Sequence, residues 1–92
     1  MIQSIRHKGL RLLFEQGDGR KIRPDLRPKA ERFLNALDLA RQVEDLDLPG
    51  FRLHRLTGDL SGYWSVMLSR NHRIIFRFEE GDAQAVDLVD YH

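Results

Sequence analysis

The strongest constraint on this chain is a change of hydrophobic period near residue 50. Leu26, Ala30, Phe33, Leu37 and Ala40 recur at spacings of four, three, four and three, which draws one apolar stripe along a helix. Asp25 is placed to cap that helix, and Pro28 is tolerable only within its first turn. "EDLDLPG" then breaks the stripe with acids, a proline and a glycine, as a connecting loop does. From residue 51 the period is two. "FRLHRL" leads into the turn cluster "TGDLSG", and "YWSVMLS" places Trp64, Val66 and Leu68 on a common face. "RNH" allows a tight connection to "RIIFRF", where Ile74, Phe76 and Phe78 share one side and Arg73, Ile75 and Arg77 the other. "EEGD" is a hairpin signal before "AQAVDLVDYH". Upstream, "IQSIRH" (2–7) alternates weakly as a short strand. "GLRLLFEQG" puts Leu10, Leu13 and Phe14 on one helical face, with Gly17 as its stop. The expectation is an α+β fold, with two N-terminal helices on one face of a curved, mostly antiparallel sheet.

Ninety-two residues suffice for one domain, 1–92, and not for two. The chain has no cysteine, so a disulfide framework and a thiolate metal site are both excluded. "MIQSIRHKGL" lacks the apolar run of a signal peptide, and no stretch could span a bilayer, so a cytoplasmic location is expected. The net charge of +1 hides an asymmetry. Residues 1–33 carry nine Lys/Arg and four Asp/Glu, whereas residues 34–92 carry six and ten. A basic portion could face phosphate, although a solvated helix surface explains the same charges more plainly.

His7, His54, His72 and His92 are scattered, without the close spacing of a metal site, so no metal and no cofactor are expected. No glycine-rich phosphate loop follows a strand, and no Gly-x-Ser-x-Gly elbow occurs. A different constellation remains. His54, Arg73 and His92 fall on separate strands, which an antiparallel sheet can bring together on one face. Two imidazoles and a guanidinium suit RNA cleavage without a metal. One group takes the proton of the ribose 2′-hydroxyl, another protonates the leaving 5′-oxygen, and Arg73 holds the phosphate. Each residue also has a plain structural reading. His54 could be an ordinary surface histidine, Arg73 and Arg77 could deter edge pairing, Trp64 could anchor the core, and Asn71 could shape a turn.

"LPGFRLHRLTGDLSGYWSV", "NHRIIF", the terminal "DYH" and the opening "IRHKGLRLLFEQG" together resemble the HigB toxins of the RelE-like superfamily, over essentially the whole chain. The resemblance implies a microbial-ribonuclease-like fold and mRNA cleavage at the ribosomal A site. It also implies a helix-turn-helix antitoxin of the HigA type, through which operator DNA is bound. By motif position, His54 resembles the family's strand histidine, Asn71 its turn asparagine and Arg73 its phosphate-facing arginine. Asp90, Tyr91 and His92 resemble its terminal triplet, in which Tyr91 could stack on a base and Asp90 could orient a neighbour. The chain departs from the pattern at Thr57, where relatives often have a lysine in a Leu-Lys-Gly turn. It departs again at Met67, Leu68 and Ser69, where an arginine is common, and this leaves Arg70 as the nearby basic group for RNA.

Two functions of different class follow. One is a metal-independent, ribosome-dependent mRNA endoribonuclease, for which His54, Arg73 and His92 argue. The other is a weakly active or inactive homologue that mainly binds its antitoxin and tunes operator repression, which Thr57 keeps open.

Overall fold

The structure, a computed structural model, describes residues 1–90. Helices α1 (Lys8–Gln16) and α2 (Arg27–Leu39) precede four strands, β1 (His54–Arg55), β2 (Trp64–Met67), β3 (His72–Glu79) and β4 (Asp82–Asp90). The strands form one antiparallel sheet in the order β1-β2-β3-β4. The change of period is thus a change from helices to sheet, as expected. Among the described residues, no helix is long and apolar enough to cross a membrane.

Each helix ends for a local reason. The Nδ1 of His7 accepts from the backbone N–H of Leu10 at 3.2 Å and opens α1. Gly17 closes it in the left-handed conformation (φ 67°), its N–H bonded to the Leu13 carbonyl. Pro28 does sit in the first turn of α2, but Asp25 is not its cap. Leu26 occupies the cap position without a side-chain bond, because the Asp25 carboxylate is held by Arg23 at 2.6 Å. Between α2 and the sheet, the acidic segment is not a plain loop. Val43–Leu46 form a 3₁₀ turn that buries Leu46, with Gln42 and Asp45 capping each other's backbone.

The helices cover one face of the sheet. Leu10, Leu13, Ala30, Phe33, Leu34 and Leu37 meet Val66, Ile74, Phe76 and Val86 in a continuous core. Phe33 is its hub, with ring centroids 5.4 Å from Phe51 and 5.6 Å from Phe76. Burying a phenyl ring of this kind contributes about 1.5–3 kcal/mol.

Register decides which side chains face away from the helices. Glu80 (φ 50°) and Gly81 (φ 82°) form the two-residue turn between β3 and β4, both in the left-handed region that suits a twisted hairpin. Past that turn, the pairing slips between Ile75 and Arg77, and Ala85 also has a positive φ of 53°. This bulge puts one extra residue into β4 and reverses its alternation. Ala83 faces the core before the bulge, and Val86 and Leu88 face it afterwards.

The same bulge explains the outcome for residues 2–7. They do not form a continuous strand. Ile2 and Ile5 make isolated parallel bridges to Ala83 and Val86, on either side of the irregular Ala85. The Ser4 hydroxyl accepts from the Ala85 N–H at 2.8 Å, supplying a partner that a regular strand would have supplied from its backbone.

Candidate functional site

β1 is only two residues long, because the chain before it turns sharply. Gly50 (φ 85°) and Arg52 (φ 51°) both adopt left-handed backbone, on either side of buried Phe51. The Phe51 ring enters the core while its carbonyl accepts from Met67 N–H at 2.6 Å, which fastens the segment to β2. For a residue with a Cβ this backbone costs about 1–2 kcal/mol. At Arg52 it allows consecutive residues to serve the core and the outer surface.

On the face away from the helices, His54 pairs with Ser65, Ser65 with Ile75, Met67 with Arg73, and Arg73 with Val89. Residues paired in this way project to the same side of a sheet. Arg52, Leu53, His54, Leu56, Ser65 and Arg73 line an open pocket of about 500 Å³, within the size range of small-ligand sites. Two guanidinium groups, an imidazole and a hydroxyl supply its polar chemistry, and among the described residues no carboxylate lines it. Such a lining attracts phosphate. Nearby, Arg55 lies over the Trp64 ring at 5.3 Å and Arg77 over the Tyr63 ring at 5.5 Å, so these two cations are held against aromatic faces.

The sequence-derived candidates divide by position. His54 and Arg73 share the pocket. Asp90 does not line it: the bulged register pairs it with His72, on the side of the sheet that carries Ile74 and Leu88. Arg70 and Asn71 are exposed in the β2–β3 connection, outside the pocket lining, and the Asn71 N–H donates to the Ser69 hydroxyl at 3.3 Å. Thr57 is exposed at the start of the short 3₁₀ turn Gly58–Leu60. Tyr91 and His92 lie outside the described residues.

Two residues that sequence reasoning passed over now stand out. His72 has Nδ1 2.8 Å from the Ser69 hydroxyl and Nε2 3.8 Å from an Asp90 carboxylate oxygen. It therefore ties the β2–β3 connection to the end of β4. Arg23 and Asp25 border this cluster from the segment before α2. Hydrogen bonding to Arg23 holds the Asp25 carboxyl below its ordinary range, with a smaller contribution from His72. Hydrogen bonding to Asp25 raises Arg23, and Asp90 adds to that. The second residue is Ser65, buried at 1% exposure between His54 and Ile75. A serine inside an alternating strand carries no signal of its own; only its register and burial single it out.

Comparison with known proteins agrees with the helix-backed antiparallel fold. Residues 3–92 match the family described as RelE-like toxin of type II toxin-antitoxin system HigB. The chain is 40% identical over 92 residues to Endoribonuclease HigB of Proteus vulgaris, covering 100% of both chains. It is 38% identical over 53 residues to Toxin HigB-1 of Vibrio cholerae, covering 56% of each. Among solved structures, the heterotetrameric YoeB–YefM toxin–antitoxin complex of Staphylococcus aureus contains a chain of the same fold. That match has a TM-score of 0.64 at 16% identity and covers 100% of this chain and 95% of the other. With the helix-backed antiparallel sheet and a family match over nearly its whole length, this chain belongs to the HigB-like toxin family of type II toxin–antitoxin systems.

Proposed function

We propose that this chain is the toxin of such a pair and acts as a metal-independent endoribonuclease on mRNA in the ribosomal A site. The observation that carries this reading is the sharing of one pocket by His54 and Arg73, with no carboxylate in its lining among the described residues. The neutral imidazole of His54 takes the proton of a ribose 2′-hydroxyl. The freed 2′-oxygen attacks the adjacent phosphorus, and the bond from phosphorus to the 5′-oxygen breaks. A protonated group, with His92 as the candidate, gives its proton to that leaving oxygen. The Arg73 guanidinium bears the charge that grows on the non-bridging oxygens, and its planar fork fits two of them. A 2′,3′-cyclic phosphate and a 5′-hydroxyl result. Asp90, held beside His72, orients the terminal residues, while Asn71 and Arg70 contact RNA from the exposed connection. The partner is a helix-turn-helix antitoxin of the HigA type, through which operator DNA is bound, and the pair works in the cytoplasm.

Expression without the antitoxin is expected to arrest growth and cut translated messages. Primer extension on matched translated and untranslated copies of one message checks this, and cuts are expected only in the translated copy. Equal cutting of both copies contradicts ribosome dependence. Cutting in neither favours the second reading, an antitoxin-binding module, which the exposed and uncharged Thr57 supports.

A further inference from the structure

The hydroxyl of Ser65 is buried and has no hydrogen-bond partner among the described residues. A buried polar group left without a partner is disfavoured, so each instance calls for a physical reason. Its neighbours do not supply one. His54 and Ile75 flank it in register, and Arg73 stands diagonally across, opposite Met67. Ser65 nevertheless belongs to the pocket lining, its oxygen covered by the side chains around it, so a ligand there meets the hydroxyl once those side chains move aside.

We propose that Ser65 is a substrate-contacting residue whose hydroxyl donates to a non-bridging oxygen of the scissile phosphodiester held by Arg73. The inference rests on the nuclease reading of this pocket and deepens it. A phosphodiester oxygen is an acceptor that cannot donate, and the serine hydroxyl is a neutral donor beside the guanidinium, imidazole and apolar groups of the described lining. The contact is satisfied only when RNA is bound. The unbound protein therefore keeps a preorganised donor at the place where negative charge will grow. The position of Ser65 between the candidate base and the phosphate-facing arginine gives it that role without any ionisation of its own.

The test is single-turnover cleavage of a message on programmed ribosomes by the wild type and Ser65→Ala, with thermal unfolding of each. Ser65→Ala is expected to cleave about tenfold more slowly, the size expected for loss of one hydrogen bond to a charged group. Its Tm is expected to equal or exceed that of the wild type, because the unpartnered hydroxyl has gone. Cleavage at the wild-type rate overturns the proposal, and so does a slower rate accompanied by a lower Tm. A second arm replaces each non-bridging oxygen in turn by sulfur. One of the two phosphorothioates should slow the wild type and slow Ser65→Ala less; equal slowing of both proteins places the hydroxyl away from phosphate and overturns the assignment. Should the wild type leave the message intact, the nuclease reading fails separately. The contact is then judged by binding of an uncleavable 2′-deoxy message: weaker binding by Ser65→Ala upholds it, and equal binding overturns it.

Discussion

Arg73→Ala should slow message cleavage by about 10²–10³, the usual cost of removing one preorganised group that stabilises transition-state charge. Its place on β3 separates this effect from folding. Ile74 and Phe76 face the helices and are fully buried, whereas Arg73 alternates to the other face and lines the pocket with His54. The main-chain pairings of β3 to Met67 and Val89 do not depend on the guanidinium. Circular dichroism and Tm should therefore remain close to wild type while the single-turnover rate falls. Arg73→Lys should recover only part of the rate, because an ammonium restores the charge without the planar fork. A folded Arg73→Ala protein that cleaves at the wild-type rate would exclude Arg73 from the site.

Removal of Tyr91 and His92 should have the largest effect, abolishing cleavage and growth arrest while antitoxin binding persists. The residue that precedes them, Asp90, is the last of β4 and pairs with His72, immediately before Arg73 in sequence. Within the described residues, β3 and β4 pair from Glu79↔Asp82 to His72↔Asp90. The deletion thus removes a candidate acid and a candidate base-stacking ring while leaving the sheet intact. Toxicity in culture, cleavage on programmed ribosomes and co-purification with the antitoxin measure the three consequences. Normal growth arrest and normal cleavage by the truncated protein would take the terminal triplet out of the chemistry.

The period of the apolar residues made the main elements legible. The stripe from Leu26 to Ala40 is α2, and the alternation from Trp64 to Phe78 is the centre of the sheet. "EEGD" announced a hairpin because a two-residue turn needs residues that tolerate positive φ, and Glu80 and Gly81 supply it. What periodicity could not give was register across an irregularity. The slip between Ile75 and Arg77 reverses the alternation of β4, so Asp90 joins His72 and does not share the face of Arg73. It also breaks the pairing of residues 2–5 into two bridges. Asp25 had the composition of a helix cap, but an arginine two residues away held its carboxylate more strongly. His54, Arg73 and His92 were legible as a group because two imidazoles and a guanidinium suit RNA cleavage and the family resemblance singled them out, and register brings the first two to one pocket. Ser65 was not, since its interest comes from a missing partner that only the packed structure shows.

The central claim is that this pocket cleaves RNA through the 2′-hydroxyl with protein groups alone. The most direct measurement is the chemistry of the new ends, determined on cleaved message in the presence and absence of a metal chelator added after the ribosomal complex has been stabilised with polyamine. The account predicts a 2′,3′-cyclic phosphate, or the 3′-phosphate from its later hydrolysis, opposite a 5′-hydroxyl, at the same rate with and without chelator. A 3′-hydroxyl opposite a 5′-phosphate, or cleavage that stops when metal is withdrawn from the toxin, would contradict it.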